Sequence, residues 1–275
     1  MIKIVTDSAA DLPKEMIEKY DITVVPLTVT IDGKEYAEGV DLSPEEFYKK
    51  MATSAELPKT SQPTPGVFKE AFSKAGPDEE VLCLTLSSNL SGTYQSAVLA
   101  QDLVKEKVTV FDTLGGTLAQ GMQVLKAAEM AAEGNSVDEI TSSLATFREN
   151  MKIVVLLETI ENVVKGGRLS KFQGTLARFL DIKVILEAID GKVEMAEKVR
   201  GKKKFHRRAI EMIRERREDF SDTIFGISHT GSNLEDVESL KQQLIEHFNP
   251  KAIIVNFMGS TIGTYAGKGG IVISF

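Results

Sequence analysis

Residues 80–112, EVLCLTLSSNLSGTYQSAVLAQDLVKEKVTVFD, decide the fold. An apolar run of strand length, VLCLTL, leads into a hydroxyl-rich loop, then into the helical pattern TYQSAVLAQDLV, then into a second β-branched run, VTVFD. That order describes a βαβ unit, whose strands lie parallel and are buried on both faces. Toward the N-terminus the alternation continues: IKIV and DITVVPLTV read as strands, and DLPKEMIEKY, SPEEFYKKMA and PGVFKEAFSKA as helices. In the other direction a helix runs from about Thr117 to Ala132, and another opens at SVDEI, where Ser136 and Glu139 match a capping box.

From about Met151 the pattern changes. MKIVVLLE reads as a strand, and VILEAIDGKVEMAEKV as two strands joined by a tight turn at Asp190-Gly191. A basic helical segment follows, and TIFGISHT, NLEDVESLKQQLIEHF, AIIVNFMG and GGIVISF read as strand, helix, strand and strand. A chain of 275 residues has the length of two α/β domains or one large one. We therefore expect an α/β protein with a parallel-sheet domain over residues 1–150 and a mixed-sheet domain over residues 151–275. No Pro-, Gly- or Ser-rich linker separates the halves, so a broad interface with a ligand site is expected between them.

Composition narrows the function. Lys+Arg 33 against Asp+Glu 40 gives a formal charge of -7, which argues against nucleic-acid binding because the phosphate backbone needs a basic face. The longest apolar stretch, Ile153 to Leu157, is far shorter than the roughly 20 residues that cross a bilayer, and Met1 opens directly into strand-like IKIV. The expected location is cytoplasmic. Cys83, the one cysteine, lies inside VLCLTL and reads as a small buried apolar residue.

Four polar loops follow strand-like runs, where open α/β sheets place ligand-binding groups: Thr6-Asp7-Ser8, Thr60-Ser61-Gln62-Pro63-Thr64, Leu86 to Thr93, and Asp112-Thr113. In the third, hydroxyls and free N–H groups at the start of a helix near Tyr94 would suit an anion, although Ser-rich loops of this kind usually supply only an N-cap, here Ser91 or Thr93. GxGxxG, GxxxxGKS and GxSxG are all absent, and His206, His229 and His247 lack metal-ligand spacing, so no metal is expected. In Lys165-Gly166-Gly167-Arg168-Leu169-Ser170 two glycines would let the arginine approach an anion or a partner closely, the alternative reading being a plain helix-starting turn. The segment Arg200 to Arg208 reads either as a solvated helix face or as a dock for an acidic partner or anionic headgroups.

Taken together, IVTDSAADLP, KTSQPTPGVF, LSSNLSGTYQSA, KGGRLS and GSTIGTYAGKGGIVISF resemble the DegV family of bacterial fatty-acid-binding proteins over essentially the whole chain. The resemblance implies that the second sheet is largely antiparallel and that a long-chain, palmitate-like fatty acid lies between the domains, with no cofactor. It implies a carboxylate held by Thr60 and Ser91, with Ser61, Gly92, Thr93 and Thr264 beside it. It implies that some members present the acyl carboxyl to a fatty-acid kinase, work associated with Arg168, with at most transient contact to a membrane surface. Tyr265, read as part of a Gly-rich loop from Gly263 to Gly270, stands where many relatives carry a histidine. The competing reading is an enzyme acting on a small carboxylate or phosphate, with Asp7, Asp112 or His229 as acid or base.

Overall fold

The computed structural model describes residues 1–172, 182–232 and 234–275. The chain begins with β1 (Ile2–Asp7), a 3-10 turn (Ser8–Ala10), α1 (Lys14–Lys19), β2 (Thr23–Val25), β3 (Thr28–Ile31) and β4 (Lys34–Ala37). It continues through α2 (Pro44–Thr53), β5 (Lys59–Ser61), α3 (Pro65–Phe72), β6 (Glu80–Thr85), α4 (Thr93–Gln101) and β7 (Lys107–Asp112). Two long helices, α5 (Leu118–Ala132) and α6 (Val137–Asn150), precede β8 (Ile153–Leu157) and α7 (Glu161–Lys165). The last part comprises β9 (Lys183–Ile189), β10 (Lys192–Val199), α8 (Lys202–Arg216), β11 (Ile224–His229), α9 (Leu234–Phe248), β12 (Ala252–Phe257), α10 (Ser260–Ala266) and β13 (Ile271–Ser274).

The protein is α/β. Its N-terminal part carries a parallel sheet in the order β2-β1-β6-β7, with Val5 beside Cys83 and Cys83 beside Val110. Both faces are covered: α3 and α4 pack with Phe68, Phe72 and Ala97 on one, and α5 and α6 with Val124, Ile140 and Leu144 on the other. This explains the uninterrupted apolar run of β6, since alternation is needed only where one face is wet. The Ser136–Glu139 capping box opens α6 as expected.

DITVVPLTV does not form one strand. Pro26 interrupts it: β2 stays in the parallel sheet, whereas β3 joins β4 and β5 in a separate antiparallel sheet of order β4-β3-β5. Proline has no N–H to continue a ladder, so the chain changes sheets there. This small sheet packs Val29 and Ile31 against Phe47 of α2, and burial of a ring of that size contributes about 1.5–3 kcal/mol. Thr60 and Ser61 consequently lie on a short strand, not in a loop after an apolar strand.

The C-terminal part has a mixed sheet of order β10-β9-β8-β13-β11-β12, antiparallel throughout except for β11 with β12. The Asp190-Gly191 hairpin forms as read, with φ of 49° and 74° at the two turn residues, both in the left-handed region a two-residue turn requires. Side chains alternate across this sheet. Val154, Leu156, Ile185 and Ile273 face α8 and α9, while Leu157, Leu186 and Val272 face α7 and α10. The helix expected over NLEDVESLKQQLIEHF is α9; its first expected residue, Asn233, lies outside the described residues. Among the described residues, no helix is long and apolar enough to cross a membrane.

Candidate functional site

A cavity of about 380 Å3 lies between the parallel-sheet part and the inner face of the mixed sheet. Its volume falls within the roughly 300–1,000 Å3 of small-molecule sites. One wall is apolar: Val155, Leu157, Leu186, Val193 and Val272 come from the alternating face of the sheet, and Leu86, Leu90 and Ile262 close over them. The remaining lining carries Thr60, Ser61, Gln62, Ser91, Gly92, Arg168 and Tyr265, and no Asp, Glu, Lys or His is among the described lining residues.

The polar groups cluster. Thr60 Oγ1 and Tyr265 Oη are 2.6 Å apart, and the Arg168 guanidinium lies over the Tyr265 ring at 4.8 Å from its centroid. Arg168 donates from Nε to the Leu90 carbonyl at 3.3 Å and from Nη1 to the Gly166 carbonyl at 2.7 Å. Gly166 is required by this stacking, because a Cβ there would sit 2.3 Å from the Tyr265 ring. Ser91 precedes α4, whose N-cap is Gly92; Ser91 Oγ accepts from the Thr93 N–H at 3.3 Å and pairs with Thr93 Oγ1 at 2.9 Å. Ser61 and Gln62 are exposed, which sets this polar end at the molecular surface. Hydroxyl groups, a single guanidinium and no carboxylate make the cluster a receiver for an anion, and the apolar wall beside it suits a hydrocarbon.

A family model described as "Uncharacterised protein, DegV family" matches residues 1–275. The chain belongs to the DegV family. A DegV domain-containing protein of Caldanaerobacter subterraneus subsp. tengcongensis is 39% identical over 268 residues, 97% of this chain and 95% of the relative. A DegV structure from Thermus thermophilus, described as fatty acid binding, superposes with a TM-score of 0.91 at 32% identity, covering 99% of this chain and 98% of that one. A Thermotoga maritima protein, described as revealing fatty acid binding function, gives a TM-score of 0.89 at 34% identity, over 99% of this chain and 98% of its own.

Within this DegV chain the sequence-derived residues separate. Thr60, Ser61, Ser91, Gly92, Arg168 and Tyr265 share the cavity. Thr93 and Thr264 are wholly buried and are not among its lining residues; Thr264 Oγ1 donates to the Ser260 carbonyl inside its own helix at 2.7 Å. Tyr265 itself lies on α10 rather than in a glycine-rich loop, so a helix sets the direction of its ring. The acid–base set does not assemble. Asp7 accepts from the N–H groups of Leu86 at 2.7 Å and Ala9 at 3.1 Å, and Asp112 from those of Ser88 at 3.2 Å and Leu114 at 3.0 Å. Both carboxylates brace the hydroxyl-rich loop from below, and His229 lines a different cavity on the opposite face of the mixed sheet.

The residues that sequence reasoning passed over are those that hold α10. Glu38 is buried and accepts from Ser8 Oγ at 2.5 Å, Ser260 Oγ at 2.9 Å, the Thr261 N–H at 2.6 Å and Thr261 Oγ1 at 2.7 Å. Asp11 accepts from the Gly259 N–H at 2.8 Å, and Tyr48 donates to the Met258 carbonyl at 3.0 Å. A carboxylate at the first turn also complements the positive end of the helix dipole. Burial, then the neighbouring Glu38 charge, pushes the Asp11 carboxyl well above the usual range. Burial likewise raises Asp7 to about 6, against the pull of its N–H donors. The signal available was the Gly-Ser-Thr triplet at 259–261, quoted for its resemblance but not read as a helix start.

Proposed function

We propose that this protein binds a long-chain fatty acid in the cavity between its two parts, residues 1–150 and 151–275. The carboxylate is held by Thr60 and Ser91 beside Tyr265 and Arg168, and the acyl chain lies along the Val155, Leu157, Leu186 and Val272 wall. One observation carries this reading: an apolar cavity ends in a cluster of hydroxyls and one guanidinium, with no carboxylate among its described lining residues. Each buried methylene contributes about 0.8 kcal/mol, so the wall supplies most of the affinity and the hydroxyl cluster sets the orientation. The fatty acid binding described for the Thermus and Thermotoga proteins supports the assignment.

The polar end is at the surface, so the bound carboxyl is positioned for presentation to a second protein, and a fatty-acid kinase is the partner we propose. Chemistry then resides in that partner, and this chain supplies the substrate with its carboxyl outward. Mass spectrometry of a solvent extract of the purified protein tests the binding, with a saturated or monounsaturated long-chain acid as the expected finding. Delipidated, folded protein that binds neither palmitate nor oleate saturably would overturn it.

A further inference from the structure

A second cavity of about 420 Å3 lies on the other face of the mixed sheet, at the carboxyl ends of β8 and β11. The fatty-acid reading makes no use of it. Carboxyl ends of strands are where α/β sheets collect ligands, and here the strand β11 leads through Thr230, Gly231 and Ser232 toward α9, whose residues Asp236 and Val237 also line the cavity. Three lysines line it, Lys183, Lys202 and Lys268, against two acids, Glu158 and Asp236. Lys183 pairs with Glu158, and Lys202 with Asp236 at 2.6 Å, which neutralises both acids. Lys268 is exposed and has no ion-pair partner among the described residues, so the lining keeps an excess of positive charge.

One buried group there points to a ligand. His229 is 5% exposed and lines the cavity, and its Nδ1 accepts from the Gly231 N–H at 3.1 Å, which leaves the proton of the neutral ring on Nε2 as a donor. No group of three or more His, Cys, Asp or Glu among the described residues could hold a metal ion. We propose that this cavity binds a phosphomonoester, with Lys268, Lys202 and His229 donating to its oxygens. A phosphomonoester dianion, with three strong terminal acceptor oxygens and up to twice the charge of a carboxylate, matches this donor set and the excess positive charge of the lining.

Isothermal titration calorimetry of the whole protein with sn-glycerol 3-phosphate and with inorganic phosphate tests the soluble source. Flotation with phosphatidylcholine vesicles, with and without phosphatidic acid, tests the lipid headgroup carrying the same chemistry. Saturable binding of a soluble probe, weakened about tenfold in Lys268→Gln, supports the site, tenfold corresponding to one lost charged hydrogen bond. Binding only to vesicles containing phosphatidic acid, lost in Lys268→Gln, supports it with a lipid as the source. Absence of both, or parental affinity in Lys268→Gln, overturns it. Lys268 is an exposed loop residue, so that variant folds, and its unchanged palmitate affinity separates this test from that of the first cavity.

Discussion

Thr60 and Tyr265 share a hydrogen bond only 2.6 Å long, and a bound carboxylate would enter a cluster already organised to donate. Removing one hydroxyl partner of a charged acceptor costs about 1.5–3 kcal/mol, so Ser91→Ala and Thr60→Val are each expected to weaken palmitate binding tenfold or more. Fluorescent fatty-acid displacement measures this, and parental affinity in both variants would place the carboxylate elsewhere. Arg168 behaves differently. Two of its nitrogens are engaged by the Leu90 and Gly166 carbonyls and its face by the Tyr265 ring, while Nη2 makes no hydrogen bond among the described residues. A part-exposed guanidinium adds little to the affinity for a screened carboxylate, but it stabilises the charge that accumulates when a phosphoryl group arrives. Arg168→Ala is therefore expected to retain palmitate and to lose acyl-phosphate formation by a fatty-acid kinase, and Tyr265→His to preserve or raise it. Paired measurement of affinity and acyl phosphate decides; parental turnover in Arg168→Ala removes the presentation role.

At the scale of elements, α10 depends on a partner outside itself. Its sequence, STIGTYA, places a glycine and three β-branched residues in seven positions, a poor helix former, and Glu38 compensates at its first turn. Glu38→Ala would leave the Ser260 and Thr261 donors buried without an acceptor, with an expected loss of about 3 kcal/mol or more in stability by urea denaturation. Palmitate affinity should fall with it, because α10 carries Tyr265; an unchanged denaturation midpoint would refute the role. Elements differ in how far their own residues declare them. The βαβ unit from Glu80 to Asp112 was readable because periodicity and burial agree along it, and the hairpin because Asp190-Gly191 can adopt a turn that most residue pairs resist. Strand β5 was not readable: Lys59, Thr60 and Ser61 contain no apolar side chain, and pairing with Thr28 to Thr30 makes them a strand. Glu38 escaped notice for a related reason, since its partners on α10, Ser260 and Thr261, lie more than two hundred residues away in the chain.

For the whole molecule, buried carboxyls give stability a distinctive response to pH. Asp7 titrates near 6 when folded against 3.8 when free, so its contribution is fully present below 3.8 and is lost as pH rises through 6. That displacement corresponds to about 3 kcal/mol. Relative to Asp7→Asn, the parent should lose stability across that interval as pH rises, measured as denaturation free energies at matched pH; a constant difference would contradict the account. Surface carboxyls such as Glu46 and Glu139, held low by their capping bonds, respond in the opposite sense, and being common to parent and variant they cancel in the difference. Strand β8 has a consequence of its own. Val154 and Leu156 point toward α8 and α9, whereas Val155 and Leu157 line the apolar cavity. A one-residue insertion or deletion within β8 would exchange those two sets at once, while a substitution at any single position touches only one of them. In a library of variants, β8 should therefore accept conservative replacements position by position yet reject every change of length.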